Sequence, residues 1–218
     1  MSYTLSTSKD DASSPGATDA EANVPQNVRN VFSDTGEWAL SSFDHRHLLV
    51  ASGTYQFPLL AGSGPLTETL LGGWRVNAIL SAQSGAPFTV NLGVDQANIG
   101  AGPAQRPNQL RDPNLPSAER TPERWFDTSA FALQAPFTFG SAPRNSVIGP
   151  GITNVDLVVA RTWAIKESRQ IEFRWEIFNV LNAAHFDLPN RVFGTPNFGR
   201  IFSAKDPRQM QFGLRVGF

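Results

Sequence analysis

Met210-Gln211-Phe212-Gly213-Leu214-Arg215-Val216-Gly217-Phe218 is the stretch whose reading decides the fold. Apolar side chains fall at 210, 212, 214, 216 and 218, with Gln, Gly, Arg and Gly between them. Side chains of a strand alternate between its two faces, so the stretch predicts one wholly apolar face and one polar face bearing an Arg. It closes on an aromatic residue. A ring is favourable at a membrane–water boundary, which suits a barrel wall in lipid, while the same alternation also suits a terminal strand on a soluble core.

Working outward, the alternation recurs. Ile171, Phe173, Trp175 and Ile177 alternate with Glu172, Arg174 and Glu176. Burying three successive charges unpaired in a soluble sandwich would be costly, whereas facing a wet lumen they cost little. Upstream, Val155, Leu157, Val159, Trp163 and Ile165 share a face opposite Asp156, with Arg161 an exception among them. Trp74, Val76, Ala78, Leu80 and Ala82 oppose Arg75, Asn77, Ile79, Ser81 and Gln83. In the same way His47, Leu49, Ala51, Gly53, Tyr55 and Phe57 oppose Leu48, Val50, Ser52, Thr54 and Gln56, and Tyr3 and Leu5 alternate with Ser2, Thr4 and Ser6. The expected strands are 2–8, 45–57, 73–85, 154–165, 170–181 and 209–218.

The connections between these strands alternate between long (9–44, 87–153, 182–207) and short (58–72, 166–169). Outer-membrane barrels have that asymmetry, with long external loops and short periplasmic turns. On this reading Glu172, Arg174, Glu176 and Arg215 form a charged wall facing the lumen. Phe57, Trp74, Trp163, Phe173 and Phe218 gather at the turn end as half of an aromatic girdle. The longest loop holds nine of the sixteen prolines, and its aromatics Trp125, Phe126, Phe131, Phe137 and Phe139 are expected to hold it together.

Composition narrows the function. The chain has 218 residues, with 18 basic and 19 acidic side chains, so no nucleic-acid partner is expected. Cysteine is absent and His numbers three, which leaves no disulfide framework and little for a metal centre. No apolar run is long enough for a transmembrane helix, a test that alternating strands pass unseen. The amino terminus lacks the basic and apolar regions of a signal peptide. Asp44-His45-Arg46-His47 is the most site-like cluster, and its two His residues would share a strand face, but no third ligand is evident. Ser84-Gly85-Ala86 and Gly149-Pro150-Gly151 lack the spacing of a phosphate loop. No catalytic residue, metal or cofactor is expected. Glu172, Arg174 and Glu176 are read as a lumen wall and not as acid–base groups.

Several segments carry a family resemblance. Gly72-Gly73-Trp74-Arg75-Val76-Asn77 followed by Ser84-Gly85-Ala86-Pro87-Phe88 resembles a strand of the TonB-dependent outer-membrane receptors, in particular the Oar-like subgroup. Phe43-Asp44-His45-Arg46-His47, Trp125-Phe126-Asp127, Phe139-Gly140-Ser141-Ala142-Pro143-Arg144-Asn145 and Pro196-Asn197-Phe198-Gly199-Arg200-Ile201 continue the likeness in order. The resemblance implies a 22-stranded barrel with an amino-terminal plug, importing a ligand with energy relayed by TonB. This chain resembles the carboxy-terminal portion of that barrel, an all-β antiparallel meander of about six transmembrane strands, and is not expected to transport alone. Its implied partners are outer-membrane lipid, the rest of the receptor barrel and plug, and the barrel-assembly machinery. In the family's pattern that machinery reads a terminal signal, here Phe212, Leu214, Val216 and Phe218. The rival reading is a soluble all-β module of carbohydrate-binding type, using the aromatic loops. A hydrolase built on Asp44 and His47 has no nucleophile motif.

Overall fold

The computed structural model describes residues 1–11, 37–58, 64, 67, 72–100, 105–166 and 169–218. Six strands, β1 (Ser2–Leu5), β2 (His47–Gln56), β3 (Trp74–Gln83), β4 (Ile152–Lys166), β5 (Arg169–Phe178) and β6 (Gln209–Gly217), form one sheet in sequence order. Every neighbouring pair is antiparallel. This meander is what period-two segments joined end to end produce when each pairs with the next. The sheet is open among the described residues, with β1 and β6 as its two edges.

Register puts the alternating residues in line across the strands. Tyr55, Val76, Val159, Trp175 and Phe212 form one row, and Trp74, Arg161, Phe173 and Leu214 form the next toward the turn end. A one-residue slip would move every one of these to the other face, so the rows show that the apolar pattern sets the register.

The hydrophobic core is not on the sheet. Phe88, Val90, Phe126, Ala130, Phe131, Ala142 and Val147 form the buried cluster, with Trp125, Leu188, Phe193 and Phe198 packed against it. All come from the connections that follow β3 and β5. These loops and residues 37–46 make a cap at one end of the sheet. Their backbone groups are satisfied by loop-to-loop bonds such as Trp125 N–H to Gly199 O at 3.0 Å and Asn91 N–H to Arg191 O at 3.1 Å. Short pairs stitch the cap further: Lys9–Asp10 with Ala39–Leu40, Pro87–Phe88 with Val147–Ile148, and Asn108–Gln109 with Phe131–Ala132.

Strand ends differ from expectation where side chains or loops intervene. β5 stops at Phe178 and not at 181, because Asn179 takes a φ of 54° and its side chain bonds both the N–H and the C=O of Ala183. β4 begins two residues early because Ile152 pairs with Gln83. β1 is shorter than 2–8, since the chain leaves it to pair Lys9–Asp10 inside the cap. Residues 12–36 of the first loop, most of the turn expected at 58–72 and residues 167–168 lie outside the described residues.

Candidate membrane-facing and lumen-facing surfaces

The sheet presents two unlike faces. One carries Tyr3, Leu5, Leu49, Ala51, Tyr55, Trp74, Val76, Ala78, Leu80, Leu157, Val159, Trp163, Ile171, Phe173, Trp175, Ile177, Met210, Phe212, Leu214 and Val216 by strand parity. Much of it is uncovered: Tyr55, Met210, Phe212, Leu214 and Val216 are all exposed. A soluble sandwich would seal such a face against a second sheet. Among the described residues no short strand pair packs extensively on the six strands. An exposed apolar face this wide marks an interaction surface and not a solvent boundary.

The opposite face is mixed on β2 and β3, where Leu48, Val50 and Ile79 stand among polar side chains, and charged on β5 and β6. Arg174 bonds Glu176 at 2.6 Å, Gln211 donates to the same Glu176, and Arg75 lies 3.8 Å from Glu172. Glu172 stands directly across from Arg215. Thr54 donates to Asn77 at 2.8 Å farther along the sheet. The four charges named from the sequence therefore share one face, with Arg174 paired to Glu176 and Glu172 to Arg75, pairs that water screens at low cost.

At the turn end, the aromatics converge in part. Trp74 meets Trp163 edge-on at 6.1 Å and Phe173 edge-on at 6.1 Å. Phe57 joins Trp74, Val76, Val159, Phe173 and Trp175 around an apolar recess of about 370 Å³. Phe218 stands at the same end but apart from the group, 92% exposed. Along β6, Phe212 stacks on Trp175 at 5.8 Å.

Arg161 is a feature that sequence reading noted only as an exception. It lies in the apolar row between Trp74 and Phe173 and is only 5% exposed. Its guanidinium carbon is 5.0 Å from the Trp163 ring centre and 6.0 Å from that of Trp74. Cation–π attraction holds a charge on a face that otherwise rejects charge.

In the cap, two arginines missed by the sequence reading are buried. Arg106 bonds Glu37 at 2.5 Å, with side chains 1% and 3% exposed. Arg144 pairs with Asp10 and also donates to the Asp10 carbonyl at 2.5 Å. Asp127 accepts from Ser129 and Arg111, and these bonds, the Ser129 hydroxyl foremost, outweigh burial and hold its carboxyl below the ordinary 3.8. Trp125, Phe126 and Phe131 do hold the loop together, and Phe139 is partly covered. Phe137 does not: it sits at a loop tip with a φ of 62° and is 76% exposed.

The pair His45 and His47 does not share a strand face. His45 precedes β2, and its Nδ1 lies 2.7 Å from the Ser84 carbonyl. His47 Nδ1 lies 2.8 Å from the Tyr3 hydroxyl. Asp44 accepts from the Ser8 N–H at 2.5 Å. Each is occupied by a hydrogen bond to another segment of the chain, and among the described residues no group of three or more His, Asp or Glu side chains is placed to hold a metal ion.

A family model described as an outer membrane beta barrel domain matches residues 1–211. No curated protein and no solved structure matches the chain.

Proposed function

Because the chain belongs to the outer membrane beta barrel domain family and resides in the outer membrane, we propose that it forms part of the wall of a TonB-dependent receptor barrel that takes up a ligand. The observation that carries this reading is the single-layer sheet itself, apolar and uncovered on one face, charged and paired on the other. Such a sheet separates lipid from a wet lumen. The described parts of the three long connections, gathered as a cap at one end of the sheet opposite the short connections, support the assignment of external and periplasmic ends.

Both edges of the sheet need partners, since backbone groups in hydrocarbon must be bonded. The proposed partners are the remaining strands of a larger barrel, of 22 strands in the receptors this chain resembles, together with a plug that contacts TonB. The sequence Phe212, Leu214, Val216 and Phe218 on edge strand β6 would be the segment met by the assembly machinery. The role is passage of a solute and not bond-making chemistry.

A crosslinking experiment tests this. Cysteines at Thr4 on β1 and Gly213 on β6 are labelled with maleimide–benzophenone, which on irradiation in intact outer membranes inserts into C–H bonds of whatever strand lies beside each edge. The expected products join each edge to another barrel strand outside these six, and TonB co-purifies with the adducts. Efficient joining of the two edges to each other within one chain, with no TonB recovered, would contradict the receptor reading.

A further inference from the structure

Taking the apolar face as lipid-facing, an inference that rests on the reading above, we propose that its turn end binds an anionic phospholipid. The acyl chain would lie in the recess, and the phosphate would sit at the mouth beside Arg169, with Arg161 deeper on the same face.

The recess crosses the sheet from the end of β2 to β5 and takes in two adjacent side-chain rows. Phe57, Trp74, Val76, Val159, Phe173 and Trp175 line it, so its walls are apolar and largely aromatic. Following the same face of β5 toward the turn, Phe173 is succeeded by Ile171 and then by Arg169. Side chains two apart on a strand are spaced by roughly 7 Å, so Arg169 stands about two such steps above Phe173. That spacing suits a headgroup above its own chain.

Charge favours an anion. Two arginines fall on this face by strand parity, Arg169 at the turn and Arg161 in the row that also carries Trp74 and Phe173. The Arg169 side chain is exposed, with no hydrogen bond or ion pair to another described residue. Among the described residues no Asp or Glu side chain falls on the strands of this face. Arg169 supplies the fork-shaped donor set that a phosphate accepts bidentately, and Arg161, braced by the Trp163 and Trp74 rings, adds a fixed positive field behind it. Tryptophan at a membrane interface favours the same headgroup level. A zwitterionic lipid would bring its own cation to this positive end and lose the advantage.

Bromine on an acyl chain quenches nearby tryptophan, and Trp74, Trp163 and Trp175 all lie on this face. The whole protein is placed in phosphatidylcholine vesicles that contain an equal small fraction of either brominated phosphatidylcholine or brominated phosphatidylglycerol. The expected result is quenching by both, with the anionic lipid favoured about fivefold, the worth of one cation at an anionic surface. Replacing the exposed Arg169, as R169Q, should remove most of that preference without affecting folding. R161Q should lower it as well, and R161K should restore part. Equal quenching by the two lipids, or a preference unchanged in R169Q, would overturn the proposal and leave the lipid-facing reading intact. Absence of quenching by either lipid would instead overturn the lipid-facing reading and the proposal with it.

Discussion

Gly85 shows how a single atom can govern the cap. A Cβ built there would lie 1.8 Å from the Gly149 carbonyl oxygen, so two backbones cross where only hydrogen fits. The change Gly85→Ala should destabilise the cap by about 1–3 kcal/mol, the usual range for overpacking, read as a lower denaturation midpoint from Trp125 fluorescence. The buried pair Arg106–Glu37 gives a larger effect. Truncating Glu37 to Ala leaves a buried cation uncompensated and should cost about 3–5 kcal/mol by the same readout. Asp127 adds a pH dependence. Its carboxyl is held below its ordinary 3.8, so the stabilisation is complete above that value and is lost as the pH falls through the lower folded value. Acid denaturation of the cap followed by Trp125 fluorescence should show this loss, and Asp127→Asn should flatten that part of the profile.

For an element, the question is which face it buries and against what. On β6 the two faces differ enough for one substitution to have opposite consequences at neighbouring positions. Phe212→Arg places a charge on the apolar face and should cost about 2–4 kcal/mol of folding into a bilayer. Gln211→Arg, beside Glu176, should change it by less than about 1 kcal/mol. Gel mobility of heated against unheated samples and urea titration in vesicles would compare them. The strands were legible in the sequence because period-two alternation is a local signal: Ile171 to Ile177 and Met210 to Phe218 need no distant information. The cap was legible only in outline. Aromatics such as Phe126 announced packing, but Arg106 and Arg144 lie 69 and 134 residues from Glu37 and Asp10, and no local pattern marks charges paired over such distances. Arg161 was visible as an interruption. Its two tryptophan partners, one on a neighbouring strand, became visible only once the register was known.

For the whole molecule, stability and location are divided between two bodies. The cap has the buried aromatic cluster and the buried ion pairs of a water-soluble domain. The sheet has neither, and relies on cross-strand pairs and on what covers its apolar face. Removing the membrane should therefore separate them. In mild detergent exchange followed by protease, fragments of the cap should persist after sheet strands are cut. The open edges on β1 and β6 follow from the same division, since nothing in the six strands bonds their outer backbone groups. The central claim is that lipid covers the apolar face and water the charged one. The chain contains no cysteine, so single cysteines from 209 to 217 can carry a spin label without background. In lipid bilayers, collision rates with oxygen and with a water-soluble nickel chelate should oscillate with period two and opposite phase. Oxygen should be favoured at 210, 212, 214 and 216, and nickel at 209, 211, 213 and 215. Labels at the even positions immobilised and shielded from both reagents, or equally open to nickel at every position, would contradict the claim.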